Sequence, residues 1–328
     1  MRFSLYRIRP PLSFYIFLII LLSAKGIFSQ NYVVQTYTQE DGLPSSTVHS
    51  IIQGSLGRIW IGTRNGVTVY DGLDWQYFNV KDGLRDSEVF CLREDSLGRI
   101  WASTLKNSIH ISFYDGSRWN NIEYPSFKLN KDIIIRSFDI LNTGSKTQIL
   151  VTSDNGLFYF YESKWKNITT RDGLPSNYCT NIISHQNKFY VATNRGVVTF
   201  YNGKLDLSLN KIIPESYKEI LAIAFDRNEK NNRLWILSTN CLGYIEDNIF
   251  HVVDNNLNIK DNLRGECVQF IPDYYGLAIF GNMYGLTLCD KSSGRLFTLS
   301  EQSGIRILNP YTIYFDRESN LWLGGREE

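Results

Sequence analysis

Three features of the sequence predict an all-β fold: a seven-bladed β-propeller of four-stranded antiparallel blades whose last blade is incomplete. Aromatic residues make up 14% of the chain, a bias toward strands. An apolar run, Trp-bearing in four of its copies, recurs seven times, every 40–49 residues. Asn-Gly and related turns separate that run from a second alternating run, a strong hairpin signal.

The elements follow in chain order. Residues 1–29 read as a signal peptide: the basic "MRFSLYRIRPP" precedes "LSFYIFLIILLSA", an apolar stretch short for a bilayer span, and Ser29 stands before a cut at Gln30. An uncleaved anchor is the alternative. The mature region 30–328 is the propeller. Residues 32–38, "YVVQTYT", read as an outer strand that closes the ring, because pairing the chain's start with the last blade removes sheet edges. Six full blades occupy about 47–299 and a partial seventh 310–325.

Each blade opens on an alternating run such as "TVHSIIQ" (47–53), "SEVFCLRE" (87–94) or "NYCTNIIS" (177–184). A tight turn follows, in which Gly57, Gly98 or Gly144 takes positive φ. The recurring run comes next: "RIWIGT" (58–63), "RIWAST" (99–104), "QILVTS" (148–153), "KFYVAT" (188–193), "RLWILST" (233–239), "GLAIFGN" (276–282) and "NLWLGG" (320–325). A second turn leads into a third run, and a short fourth run such as "QYFN" closes the unit. One such unit cannot bury both faces alone, so neighbours must stack, which assigns Trp60, Trp101, Trp235 and Trp322 to the core. The seventh copy stops after its second run, which reads the sequence as part of a longer frame.

Charge and cysteine exclude several functions. Arg2, Arg7, Arg9 and Lys25 take four of the 34 basic residues and none of the 33 acids, leaving the remainder at −3, with no call for nucleic acid. Five cysteines, none in a CxxC, argue against a disulfide framework and place Cys91 and Cys179 as buried thiols. The four histidines share no metal spacing, and GxSxG, P-loop and dinucleotide patterns are absent. His49, in a first strand, reads as a hydrogen-bonded channel or core residue. "DRNEKNN" (226–232) lacks the glycine and terminal Glu of a calcium loop and reads as a long turn. No catalytic set, metal or cofactor is expected.

Between blades stand "YTQEDGLPSS" (37–46), "FNVKDGLRDS" (78–87) and "TTRDGLPSN" (169–177). With "DSLGRIW" and "FDRESNLW" these resemble the two-component regulator propeller repeats, over residues 32–325. The resemblance implies the extracytoplasmic sensor region of Bacteroidetes-type hybrid histidine kinases, with membrane kinase modules in a longer parent and a homodimer among the assemblies it allows. Blade 3 departs from the pattern, with "YPSFKLNKDI" (124–133) in place of DGLP, and blades 5 and 6 carry "KIIPESYKEI" and "NIKDNLRGEC" as links.

Strand alternation puts the inter-blade links and the turns between second and third strands at one end of the ring. Ligand-binding candidates at that end are Arg64, Asn65, Lys106, Asn107, Asp154, Asn194 and Arg195, a mix of donors and acceptors suited to a glycan fragment or other small polar ligand. Turn chemistry alone accounts for the Asn residues, whereas no turn requires Arg64, Lys106 or Arg195. Asp41, Asp82 and Asp172 are expected to cap the DGL links. The function expected is periplasmic ligand sensing for a signalling receptor, with a secreted adaptor for protein partners or a propeller lyase as alternatives. The lyase would need a histidine converging on the channel.

Overall fold

The structure is a computed structural model. It describes residues 35–105, 109–123, 133–144, 146–226, 233–255, 270–272, 277–282, 285–290, 295–299, 310–318 and 320–325. Residues 36–328 form one compact unit and residues 1–35 another, so the signal peptide lies outside the described residues.

Among the described residues the strands form six four-stranded antiparallel sheets and one two-stranded sheet. Blade 1 comprises Val48–Gln53, Ile59–Thr63, Gly66–Tyr70 and Trp75–Phe78, and blade 2 Val89–Glu94, Ile100–Leu105, Ile109–Tyr114 and Trp119–Ile122. Blade 3 is Ile135–Thr143, Lys146–Ser153, Gly156–Tyr161 and Lys164–Ile168; blade 4 is Cys179–His185, Lys188–Thr193, Gly196–Tyr201 and Lys204–Asp206. Blade 5 is Ile220–Phe225, Leu234–Ser238, Leu242–Glu246 and Ile249–Asp254; blade 6 is Phe270–Pro272, Leu277–Asn282, Gly285–Asp290 and Leu296–Leu299. Blade 7 holds Thr312–Phe315 and Leu321–Gly324. The first strands touch in this order, and the first strand of blade 7 returns to that of blade 1, which makes the ring.

The core lies between sheets, where the alternating faces meet. Trp60, Val67, Val69 and Phe78 of blade 1 pack on Val89, Leu92, Ile100 and Trp119 of blade 2, and equivalent clusters fill the other seams. Trp60, Trp101 and Trp235 are buried, as a fixed repeat position requires. Trp322 is only half-buried, a departure from its assignment to the core, because blade 7 has no third strand among the described residues to cover it. Cys91, Cys179 and Cys241 are buried free thiols, and burial pushes the Cys179 thiol up to about 12.

Polar groups stitch the inner ring. The first strands of blades 1 to 5 each carry a bulge, at His49, Phe90, Arg136, Thr180 and Leu221. In blades 1 and 4 the side chain just after the bulge accepts a backbone N–H from the next blade: Leu92 donates to Ser50 Oγ at 3.0 Å and Ile223 to Asn181 Oδ1 at 3.4 Å. The same stitch closes the ring, with Ile51 N–H donating to Thr312 Oγ1 at 3.2 Å. Arg317 reinforces the closure through its N–H to Gln53 Oε1 at 2.8 Å.

The links behave as their sequence requires. Residues 39–41, 80–82 and 170–172 are single 3-10 turns, capped by Thr38 with Asp41, Asn79 with Asp82, and Thr169 with Asp172. Residues 35–38 differ from expectation: they form no strand, and among the described residues no third strand of blade 7 lies beside them. Tyr37 nevertheless stacks on Trp322, with ring centroids 5.8 Å apart. Residues 32–34 lie outside the described residues.

Candidate functional site

The turn between second and third strands is fixed by a hydroxyl at the end of the second strand. Thr63 Oγ1 donates to the Gly66 carbonyl and accepts from the Asn65 N–H, at 3.0 and 3.1 Å. Ser153 and Thr193 repeat the arrangement in blades 3 and 4. The turn's own backbone then needs no side chain from its two central positions, which are left to make other contacts. Glycine must follow: a Cβ on Gly66, where φ is +135°, would stand 2.3 Å from the Phe78 carbonyl. Each turn also meets its own blade's link, since the amides of Arg64, Asp154, Asn194 and Thr239 donate to the carbonyls of Thr47, Ile134, Tyr178 and Glu219. Links and turns therefore share one rim.

The rim gives its candidates different tasks. Asn65 is a brace: its Nδ2 donates to the Pro44 carbonyl at 3.0 Å, and its own carbonyl accepts from the Tyr77 hydroxyl. Asp154 is also structural, its carboxylate accepting the Ile134 N–H at 3.1 Å. Arg64 is exposed, with Nε 4.0 Å from Glu88 Oε1. Lys106 and Asn107 lie outside the described residues. Asn194 and Arg195 are exposed and line a cleft. The candidates are thus divided among seams: Arg64 lies where blade 1 meets blade 2, while Asn194 and Arg195 lie where blade 4 meets blade 5.

That second seam holds a cleft of about 570 Å³, lined by Asn194, Arg195, Glu215, Ser216, Lys218, Glu219, Thr239 and Asn240. One wall is the second turn of blade 4. The opposite wall is the blade 5 link, built from the short helix Ser208–Ile212 and the 3-10 turn Glu215–Tyr217. Asn240 Nδ2 donates to the Ser216 carbonyl at 3.2 Å and ties that link to the second turn of blade 5. Lys218 Nζ sits 2.7 Å from Glu215 Oε2. Two cationic and two anionic side chains line the cleft, so it carries no net formal charge. Sequence reasoning passed over Glu215, Ser216, Lys218 and Asn240, although the loss of the DGLP pattern at "KIIPESYKEI" marked this link as different.

At the other seam His49 is wedged between Phe90 and Tyr311, with ring centroids 4.4 and 5.7 Å away. Its Nε2 is buried without a hydrogen bond, which departs from the expectation of a hydrogen-bonded histidine. Glu88 Oε1 stands 3.7 Å from Nε2. Burial, and then the Arg64 charge, outweigh that carboxylate and lower the imidazole to about 4, so it is neutral near pH 7. His110, His185 and His251 belong to other strands in blades 2, 4 and 5. Among the described residues no three His, Cys, Asp or Glu are grouped to hold a metal.

This ring of four-stranded sheets defines a β-propeller. Two of its repeats, at residues 42–65 and 83–106, match the model of the two-component regulator propeller. Over 56 residues the chain is 41% identical to histidine kinase P4 of Formosa agariphila, a stretch that is 17% of this chain and 4% of that one. The extracellular domain of the hybrid two-component system BT3049 from B. thetaiotaomicron superposes with a TM-score of 0.64 at 18% identity. That match covers 89% of this chain and 40% of the sensor domain. Virginiamycin B lyase from Staphylococcus aureus superposes with a TM-score of 0.61 at 15% identity, covering 85% of this chain and 92% of the lyase. Both structural likenesses concern the fold.

Proposed function

We propose that this chain is the ligand-sensing region of a two-component receptor, working outside the cytoplasm, and that the cleft between blades 4 and 5 takes a small, neutral, polar ligand such as a glycan fragment. One observation carries the reading: the cleft offers paired charges and amide groups of both hydrogen-bonding senses without an excess of either sign. A ligand rich in hydroxyls can satisfy such a surface, whereas a strongly charged one would leave half of it unpaired. In this reading the chain binds and does not catalyse, and it passes its occupancy to membrane kinase modules of a longer parent, with a homodimer as one arrangement for doing so.

The test is calorimetric titration of the purified chain with a panel of neutral and charged oligosaccharides. Arg195→Ala and Lys218→Ala are each expected to weaken binding about tenfold or more. Arg64→Ala, at the other seam, should leave it unchanged. Binding restricted to strongly charged ligands, or unmoved by both cleft variants, would refute the proposal.

A further inference from the structure

In blades 1 to 5 the first strand bulges at one residue, and a bulge re-aims the side chain it carries. In blade 1 that residue is His49, whose Nε2 stands 3.7 Å from Glu88 Oε1. Glu88 is the residue just before the first strand of blade 2. In blade 3 the bulged residue is Arg136, whose guanidinium lies over the Tyr178 ring at 4.8 Å and donates from Nη2 to the Tyr178 hydroxyl at 2.6 Å. Tyr178 likewise stands just before the first strand of blade 4. At both seams a large bulged side chain fills the space up to the residue that opens the next blade.

At the seam of blades 4 and 5 the same two places fall to Thr180 and Glu219. Glu219 precedes the first strand of blade 5 and lines the cleft. Thr180 has no part in that lining, because its Oγ1 donates to the Ile220 carbonyl at 3.0 Å and holds the short side chain against the backbone. Threonine ends where histidine and arginine go on to a ring or a guanidinium. The link gives this cleft one wall, and the small bulged residue leaves the side beside Glu219 unfilled.

We propose that Thr180 is the specificity-determining residue of this seam: its small size keeps open, beside Glu219, the room that His49 and Arg136 occupy at the sister seams. The proposal rests on the reading of the cleft as the ligand site and adds what that site admits. The room matches one imidazole or guanidinium group, which suits the hydroxymethyl arm of a sugar, whose hydroxyl can donate to the Glu219 carboxylate.

The test begins without a ligand. Glu219→Cys is alkylated with iodoacetamide in the full chain, with and without Thr180→Phe, a residue type that blade 2 carries at the same place in Phe90. The native thiols Cys91, Cys179 and Cys241 are buried. Alkylation is expected to slow about tenfold when phenylalanine fills the seam, and equal rates would overturn the proposal. If Thr180→Phe does not fold, Thr180→His, the residue type of blade 1, takes its place. Calorimetric titration with the neutral oligosaccharides is the second arm. Thr180→Phe should weaken binding about tenfold or more, and about fivefold more than Thr180→Val, which loses the hydrogen bond to Ile220 without adding bulk. Equal losses in the two variants would overturn the proposal, since size would then not be the cause. If the unsubstituted chain binds none of the oligosaccharides, the ligand reading of the cleft falls, and the alkylation rates still decide whether Thr180 keeps the seam open.

Discussion

Replacing Asp95 tests the device that anchors the repeated tryptophan. Its side chain is fully buried at the end of the first strand of blade 2. The carboxylate accepts the N–H groups of Leu97 and Arg99 at 2.9 and 3.0 Å, the Arg99 guanidinium at 2.7 Å and Trp101 Nε1 at 2.8 Å. Burial opposes its ionisation, but the hydrogen bonds from Trp101 and Arg99 outweigh burial and hold its pKa below the ordinary value. Asp95→Ala would leave a guanidinium, a buried indole N–H and two amides without their acceptor. Breaking a buried ion pair costs about 3–5 kcal/mol. Arg99 keeps 23% of its side chain exposed, so water can recover part of the loss, which points to the lower end, about 3 kcal/mol. At about 2 °C per kcal/mol for a unit of this size, Tm should fall by about 6 °C. Urea denaturation followed by tryptophan fluorescence measures the first quantity and thermal melting followed by circular dichroism the second. The pH dependence is a second check. Because the folded pKa is depressed, the stabilisation is complete above the unfolded carboxylate value and disappears as pH falls through the folded one. The gap between wild type and Asp95→Asn should therefore narrow below about pH 4. A loss under about 1 kcal/mol for Asp95→Ala, or a gap that is flat with pH, would refute the argument.

Two further outcomes follow from the rim and its turns. Gly66→Ala should destabilise the unit by about 2–4 kcal/mol, because its Cβ would meet the Phe78 carbonyl, whereas Gly57→Ala, with positive φ but open space around it, should cost about 1 kcal/mol in the same denaturation assay. His49 is held at about 4 by burial and Arg64, so it favours folding when neutral, an effect complete above pH 6.5 and lost as pH falls toward 4. His49→Phe should keep the stack and remove on the order of 2–3 kcal/mol of acid sensitivity across that window, which melting curves at several pH values would show.

Asp95 also shows how far a repeat can be read without coordinates. The "DSLGRIW" pattern marks an acid six residues before a tryptophan, and the structure gives the pairing its meaning in Asp95 with Trp101 and again in Asp316 with Trp322, at 2.7 Å. The capping acids Asp41, Asp82 and Asp172 were legible for the same reason: a local side-chain-to-backbone bond spans three residues and leaves its mark in adjacent letters. The ligand candidates were only partly legible. Asn65 and Asp154 look alike in the sequence to any polar turn residue, yet Asn65 braces the Pro44 carbonyl and Asp154 the Ile134 amide. Lys218 and Asn240 were hidden because each comes from a segment that departs from the repeat, where alignment has nothing to compare.

The sequence by itself determined the blade: the order of runs, the glycines where the chain must turn with positive φ, the apolar faces and the acid-capped links. Each is a short-range consequence of backbone sterics and side-chain alternation, so each is written within a few residues. Only the tertiary structure decided which residues share a seam. The cleft at Arg195 and Lys218, the neutral His49 between Phe90 and Tyr311, and the stack of Tyr37 on Trp322 all depend on which blades become neighbours and how the ring closes. Those contacts join residues up to about 285 positions apart, as Tyr37 and Trp322 do, and no local pattern encodes a distance of that kind.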